Sequence, residues 1–297
     1  MSAQSPRALR GIVIGLPFGW LLLFTALPAL VVLAISFAEP RLGSPPFIAP
    51  LSWSEGGIRL NLTLESYHRL FTDSLYLDAF IGSIRIAAVS ALITLLIAYP
   101  MAYAIARADG RTRPALLMLV VLPFWTSFLI RVYAWTGLLN SNGLINETLL
   151  RLGVIDQPLP LLHSEFAVHL GIVYSYLPFM VLPIYGVLER IDWTLLEAAA
   201  DLGARPFKAF LRVTLPLSVP GIVAGVLLVF IPALGEFIIP ELLGGAETLM
   251  AGRVLWTEFF SNNDWPFASA LAIALLIAVL LPAAVIYRLA RREAMAT

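Results

Sequence analysis

Six long apolar runs divide this 297-residue chain, and they limit its fold more than any other feature. An apolar run of about 18 residues or more can cross the hydrocarbon core of a membrane as a helix. Hydrophobic residues make up 60% of the chain and charged residues 13%, against roughly 25% charged residues in soluble proteins. We therefore predict an all-α polytopic membrane protein with six transmembrane helices. The predicted spans are Ile12–Phe37, Phe80–Ala106, Ala115–Leu138, Ala167–Leu188, Ser218–Ile239 and Phe267–Arg288.

The placement of the basic residues predicts how these spans are oriented. Cytoplasmic loops of membrane proteins carry an excess of Lys and Arg. With the N-terminus in the cytoplasm, the inside segments hold twelve basic residues and the outside segments hold five. We therefore expect both termini to be cytoplasmic. The inside residues are Arg7, Arg10, Arg107, Arg111, Arg113, Arg190, Arg205, Lys208, Arg212, Arg288, Arg291 and Arg292, and the outside residues are Arg41, Arg59, Arg69, Arg151 and Arg253.

The residue types that the chain lacks exclude several chemistries. There are no cysteines, and none of the three histidines falls in a metal-binding spacing. A phosphate-binding loop ends in Gly-Lys-Ser/Thr, but the single lysine, Lys208, follows Phe207. We predict no catalytic residue, no metal, no cofactor of its own and no nucleic-acid partner; its surroundings are membrane lipid.

The polar loop at residues 190–217 carries the clearest local pattern. Thr194 and Glu197 have the spacing of a capping box, which starts a helix. Gly203 can adopt the left-handed geometry that ends a helix, and Pro206 suits the first turn of the next one. The loop is therefore predicted to form a short helix, a sharp turn and a second helix that runs into Leu215 and Pro216.

Glu236 is the most informative charge inside the spans. It lies near the outer end of the fifth span, between Pro232 and Pro240. A carboxylate at this depth is costly unless it faces water, a pathway or a basic partner. Two interpretations stay open: a place in a substrate pathway, or a structural ion pair with Arg131 or Arg85.

Aromatic residues accompany this charge. Trp125, Tyr133 and Trp135 flank Arg131 in the third span, and Asp264 with Trp265 precedes the last span. Such rings usually anchor a helix at the membrane interface. They can also bind an alkylammonium group through cation–π contacts, so we treat them as further pathway candidates.

The charge of the outer face favours a cationic substrate. Twelve acidic residues lie in the outside segments against five arginines. An acidic mouth raises the local concentration of cations, although basic residues are kept inside for topology in any case. The twelve are Glu39, Glu55, Glu65, Asp73, Asp78, Glu147, Asp156, Glu165, Glu241, Glu247, Glu258 and Asp264.

The loop sequence EAAADLGARPFKAFLRVTLP, residues 197–216, resembles the EAA loop of bacterial ABC-importer permeases. Glu197, Ala198, Ala199, Gly203, Leu215 and Pro216 match that motif, and Val213 is a conservative departure from it. The resemblance implies the type I (MetI-like) permease fold in a bacterial inner membrane. It also implies that the loop docks on a dimer of separate ATPase subunits, which bind ATP and Mg²⁺.

Three further segments resemble the polyamine importers, and most closely the permease subunits of putrescine systems, with spermidine systems next. They are residues 122–135, residues 235–245 and residues 263–266, and the similarity runs from about residue 80 to residue 288. The resemblance implies a second related permease, so that the pair is a heterodimer, a periplasmic substrate-binding protein and alternating access. It divides the chain into an anchor and periplasmic segment (1–79), a permease core (80–288) with the coupling loop (190–217), and a cytoplasmic tail (289–297).

Other functions stay open on the sequence alone. Permeases with the same loop carry opines, metal chelates or anions. An intramembrane enzyme would use Glu236, Asp264 and a histidine, but no nucleophile motif accompanies them. A proton-driven secondary transporter would usually have more spans and would not need a docking helix.

Overall fold

The computed structural model describes the backbone of residues 6–54 and 57–296, and the side chains of residues 13–51 and 59–280. The chain forms two compact units. One consists of residues 1–77 and 255–297, and the other of residues 78–254. The predicted division at residues 79 and 288 separates segments by their expected function, whereas these two units are defined by compactness. The predicted division therefore stays a prediction.

The unit formed by both ends of the chain is built around two long helices. Helix α1 (Pro6–Ser36) packs against α13 (Trp265–Ala296). Between them in sequence lie a hairpin of β1 (Leu51–Ser54) and β2 (Gly57–Leu60), and the short helix α2 (Glu65–Thr72). The strands are antiparallel, with Leu51 opposite Leu60. This hairpin departs from the all-α prediction.

All regular secondary structure in the described residues of the central unit is helical, and α7 and α10 make its most extensive helix contact. A 3₁₀ turn (Leu122–Trp125) follows α4, and a π-helical turn (Phe210–Thr214) joins α9 to α10. Two helices cross the boundary between the units: α3 at its first residues and α12 at its last. The helices are α3 (Ser74–Arg107), α4 (Arg113–Val121), α5 (Phe128–Leu139), α6 (Leu144–Arg151), α7 (Glu165–Leu188), α8 (Thr194–Asp201), α9 (Pro206–Ala209), α10 (Leu215–Leu234), α11 (Ile238–Leu243) and α12 (Ala251–Trp256).

Four of the six predicted spans are confirmed as helices long and apolar enough to cross a membrane. The fifth begins and ends earlier than predicted, since the helix runs from Pro206 to Leu234 and Ile238 starts the separate helix α11. For the sixth, the described side chains form an apolar helix over Trp265–Leu280, which is shorter than the four spans. The end of that span and the tail at 289–297 lie outside the described side chains, so the count of six stays a prediction.

The third predicted span is not one straight helix. Its two arms, Arg113–Trp125 and Phe128–Arg151, are bent by 88°. Pro123 cannot donate a backbone hydrogen bond, and Thr126 and Ser127 are extended, with ψ of 153° and 137°. Proline, 3₁₀ geometry and extended backbone together produce the sharp bend.

Close packing of α7 and α10 depends on small residues. A Cβ atom at Gly221 would lie 2.8 Å from the Pro183 carbonyl oxygen and 3.1 Å from the Ile184 Cα. Glycine is common at such contacts between membrane helices because it lets the two backbones approach.

Gly221→Ala is therefore expected to destabilise the purified protein by about 1–3 kcal/mol, the usual cost of overpacking. Thermal unfolding in detergent measures the effect. Gly186→Ala is the matched control, because a Cβ there meets no atom within 4 Å. Equal effects of the two substitutions would contradict this account of the packing.

Candidate functional site

The turn of the coupling loop (residues 190–217) has the geometry that the sequence predicts. Gly203 has φ of +79°. Its N–H donates to the Ala200 carbonyl at 2.8 Å, and the Ala204 N–H donates to the Ala199 carbonyl at 3.0 Å. These two bonds form a Schellman motif, which satisfies the last carbonyls of α8. Pro206 then begins α9, as expected.

The start of α8 differs from the prediction. Thr194 is the first helical residue, and neither it nor Glu197 forms a capping box. Instead, Asp192 Oδ1 accepts a hydrogen bond from the Thr194 N–H at 3.0 Å. Hydrogen bonds from the Thr194 hydroxyl and backbone N–H hold the pKa of Asp192 below its ordinary value. The aspartate acts here because an Asp side chain readily bonds the backbone two residues on.

The coupling loop exposes large apolar side chains on its surface. Leu202 is 89% exposed and Phe207 is 72% exposed, and Glu197 and Ala198 are exposed beside them. Ala199 is partly buried and lines a cleft of about 280 Å³ together with Leu202, Gly203, Ala204, Lys208, Ala209, Arg212 and Val213. Exposed large apolar side chains around a cleft are typical of a surface that binds another protein.

Leu215 and Pro216 lie where this surface joins the core. Both belong to the first turn of α10, directly after the π-helical turn. The helix is continuous from Pro206 to Leu234, so the second half of the loop and α10 form one helical element. Of the six motif residues, Leu215 and Pro216 lie on this helix, whereas Glu197, Ala198, Ala199 and Gly203 lie before it on α8 and its turn.

Glu236 lies at the break between α10 and α11. It is 8% exposed. Its Oε1 accepts hydrogen bonds from the N–H groups of Ile238 at 3.1 Å and Ile239 at 3.4 Å, and its Oε2 accepts one from the Tyr176 hydroxyl at 2.5 Å. The carboxylate therefore caps the start of α11.

The alternative of an ion pair between Glu236 and an arginine is not observed among the described side chains. Arg85 Nη2 bonds Glu165 Oε2 at 2.8 Å. Arg131 Nη1 donates to the Pro123 carbonyl at 2.9 Å. Both arginines therefore have other partners, and the hydroxyl of Tyr176 and the backbone of α11 satisfy Glu236 instead.

Tyr176 is a residue of this site that the sequence analysis missed. It lies on α7, sixty positions before Glu236 in the chain, and no local spacing connects the two. Tyr176→Phe leaves the carboxylate with one donor fewer, which costs roughly 1.5–3 kcal/mol for a bond to a charged group. We expect a lower thermal unfolding midpoint for this variant.

Tyr174→Phe is the control for that measurement. Tyr174 lies on the same helix, and its contact is made by the ring, which packs edge-on against Trp135 with centroids 5.5 Å apart. Phenylalanine keeps that ring contact. Its unfolding midpoint should stay close to that of the parent protein. A similar loss in both variants would show that the Tyr176 hydroxyl has no special role.

The three aromatic candidates of the bent span lie in different surroundings. Trp125 is 70% exposed and Tyr133 is 58% exposed, whereas Trp135 is partly buried against Tyr174. The structure therefore leaves Trp125 and Tyr133 free to contact lipid, a partner subunit or a solute. Trp135 packs within the unit.

Asp264 and Trp265 belong to the unit formed by the chain ends. Asp264 Oδ2 accepts a hydrogen bond from Arg69 at 3.0 Å, and its Oδ1 accepts one from the Phe267 N–H at 3.1 Å. The ring of Trp265 stacks on Phe259 with centroids 5.0 Å apart. Both residues therefore have structural contacts at the start of α13.

Ion pairing involves five of the twelve acidic residues predicted to face outward. A carboxylate already paired with an arginine attracts a free cation less strongly than an unpaired one. Within the described side chains, six others show no ion pair: Glu39, Glu65, Asp73, Asp78, Asp156 and Glu247. The pairs are Glu147–Arg151, Glu165–Arg85, Glu241–Arg253, Glu258–Arg69 and Asp264–Arg69.

Two of the three histidines, His163 and His169, lie within hydrogen-bond distance of other groups. His169 Nδ1 lies 2.8 Å from the Ser90 hydroxyl, and its Nε2 lies 3.3 Å from Glu165. His163 Nδ1 lies 3.3 Å from the Gly244 carbonyl. Over the described residues, no three His, Cys, Asp or Glu side chains group in a way that could hold a metal ion.

The structure thus places a buried carboxylate at a break in the helices, and an exposed apolar surface at the start of the helix that leads to it. The family of binding-protein-dependent transport system inner membrane components matches residues 79–294. The chain belongs to this family.

Relatives and solved structures agree with that assignment. The spermidine/putrescine transport system permease protein PotB of Haemophilus influenzae is 43% identical over 277 residues, covering 93% of this chain and 92% of that protein. PotB of Escherichia coli K12 is 41% identical over 273 residues, covering 92% of this chain and 94% of that protein. A chain of a bacterial ABC transporter involved in the import of the acidic polysaccharide alginate has a TM-score of 0.70 at 18% identity, covering 96% of this chain and 99% of that one. The predicted permease fold is therefore confirmed.

Proposed function

We propose that this chain is a permease subunit of an ATP-driven importer that moves a polyamine, putrescine or spermidine, into the cytoplasm. The observation that carries this proposal is the 43% identity, over 93% of the chain, to a permease named for spermidine and putrescine. The excess of acidic residues in the outer segments supports a cationic substrate, because it concentrates cations at the mouth.

The partners follow from the same proposal. A dimer of ATPase subunits binds ATP and Mg²⁺ and docks on the coupling loop, a second related permease completes a heterodimer, and a periplasmic protein delivers the substrate. The exposed Leu202 and Phe207 beside the cleft of the loop support an ATPase contact. One solved relative by fold is a transporter in complex with a periplasmic protein bound to alginate pentasaccharide.

The transport cycle is alternating access across a bacterial inner membrane, with six spans and both termini in the cytoplasm. Closure of the ATPase dimer moves the coupling loop, and the continuous helix Pro206–Leu234 transmits that movement to Glu236. The carboxylate then lies where an ammonium group can replace the Tyr176 hydroxyl as its partner. The chain itself carries no reaction chemistry.

An anion importer is the second candidate. The molybdenum transport system permease protein ModB of Mycobacterium bovis is 33% identical over 211 residues, covering 68% of this chain. Competition separates the two candidates. With the complete transporter in liposomes, excess unlabelled spermidine should suppress uptake of labelled putrescine, and molybdate should not. Uptake of labelled molybdate, with no uptake of labelled putrescine, would favour the anion importer.

A further inference from the structure

Arg131 is a buried cation in an apolar segment, and the described part of the chain gives it no carboxylate partner. It is 9% exposed, so that nine-tenths of the residue is buried, and its Nε has no hydrogen-bond partner. The other arginine within a predicted span, Arg85, is paired with Glu165. Arginine at this depth is costly, so its position calls for a specific role.

The contacts of Arg131 converge on the bend of the third span. The chain leaves helical geometry at Thr126, so the Pro123 carbonyl has no helical partner at the usual spacing. That oxygen accepts three hydrogen bonds instead: from the Thr126 N–H at 3.3 Å, from the Thr126 hydroxyl at 2.8 Å and from Arg131 Nη1 at 2.9 Å. A carbonyl freed inside a membrane must be satisfied within the protein, and the guanidinium does this across the bend.

The same guanidinium also fixes a ring. Its Cζ lies 5.1 Å from the centroid of Phe124 and 5.8 Å from that of Phe128, one on each arm of the bend. Phe124 in turn packs edge-on against Phe179 of α7 at 5.1 Å. Cation–π contacts are strongest where water is excluded. The guanidinium of Arg131 therefore contacts both arms of the bend, through these two rings and the Pro123 carbonyl.

We propose that Arg131 is a positioning residue for transport, which holds the 88° bend between α4 and α5 and so sets the position of Phe124 and Trp125. One face of Phe124 is occupied by this fixed cation and is not available to a substrate ammonium. Of the neighbouring rings, Trp125 and Tyr133 remain exposed. The proposed role of Arg131 in holding the bend is the same whichever solute the transporter carries.

A distance measurement across the bend tests the proposal, and the absence of native cysteines makes the labelling specific. Spin labels are placed at Ala115→Cys and Gly137→Cys, because Ala115 is exposed and a Cβ at Gly137 meets no atom within 4 Å. At a rise of 1.5 Å per residue, the two backbones lie about 33 Å apart if the span is straight and about 23 Å apart if it is bent at a right angle. The double electron–electron resonance experiment uses the assembled transporter in nanodiscs.

Arg131→Gln is expected to shift this distance toward the longer value and to lower uptake about ten-fold, the effect of losing one charge-assisted hydrogen bond. Arg131→Lys should restore most of both, because an ammonium keeps the charge and one donor. Arg85→Gln is the control and should leave the distance unchanged. If Arg131→Gln does not assemble, Thr126→Val removes a second donor from the same carbonyl and should shift the distance in the same direction.

Two results would overturn the proposal. One is an unchanged distance in Arg131→Gln, whatever happens to uptake, since the bend would then be held without the guanidinium. The other is a lengthened distance with unchanged uptake, since the bend would then have no part in transport.

Discussion

Gly203→Val is expected to reduce ATP-dependent uptake by more than ten-fold. Gly203 has φ of +79°, and a β-branched residue strongly disfavours that conformation, at about 1–2 kcal/mol for an ordinary side chain. A Cβ at this position would meet no atom within 4 Å, so the effect comes from the backbone alone. The two bonds of the Schellman motif would be lost, and α8 would no longer turn toward Pro206.

The loss of uptake should exceed the loss of stability, because the docking surface changes shape while the core does not. Gly203→Asn should keep most of the uptake, since asparagine tolerates the left-handed region. Gly110→Val is the control, as this glycine lies in another loop, has no positive φ and meets no atom. Uptake and co-purification with the ATPase are measured together. Normal uptake by Gly203→Val would contradict the coupling role of this turn.

Glu236→Gln is expected to lower uptake roughly ten-fold while the transporter still assembles. Glutamine preserves the shape of the side chain, and its carbonyl oxygen can still accept from the N–H groups of Ile238 and Ile239. The negative charge is lost, and an interaction between a hydrogen-bonding group and a charge contributes about 1.5–3 kcal/mol. The substitution therefore separates the capping role of the carboxylate from a role in binding a cation.

Initial uptake rates over a range of binding-protein concentrations measure this effect. Glu241→Gln is the matched control, because Glu241 lies on α11 but is half-exposed, with its side chain bonded to Arg253 at 2.6 Å. Its uptake should be close to that of the parent protein. Unchanged kinetics in Glu236→Gln would remove the carboxylate from the pathway and leave it as a cap of α11 alone.

Hydropathy predicted the spans because long apolar runs have few alternatives to a membrane helix. It missed the bend because both arms of the third run are apolar, so the run Ala115–Leu138 reads as one segment. The signal was present in the polar residues inside it. Pro123, Thr126 and Arg131 together mark a carbonyl that needs side-chain donors, and the structure brings Thr126 and Arg131 to the Pro123 oxygen.

The coupling loop was predictable where single residues dictate the backbone. Gly203 and Pro206 set the end of one helix and the start of the next, and both are confirmed. The prediction for the start of α8 was wrong because two capping patterns overlap in this segment. Thr194 and Glu197 have the spacing of a capping box, but the side chain of Asp192, two residues before Thr194, accepts the hydrogen bond from the Thr194 N–H instead.

The surroundings of Glu236 could not be read from the sequence. The choice of Arg131 or Arg85 as a partner assumed that a buried acid needs a base. Two backbone N–H groups and a tyrosine hydroxyl satisfy it instead, and only the packing of α7 against the break brings Tyr176 there. The roles of the pathway candidates and of the motif residues stay predictions.

Uptake of labelled putrescine by liposomes tests the central proposal most directly. The liposomes hold this chain with its ATPase, the second permease and the binding protein, with ATP or a non-hydrolysable analogue enclosed. We expect accumulation against a gradient with ATP alone, and its loss in Gly203→Val. Accumulation that does not depend on ATP, or none in a correctly assembled complex, would contradict the assignment of this chain to a polyamine importer.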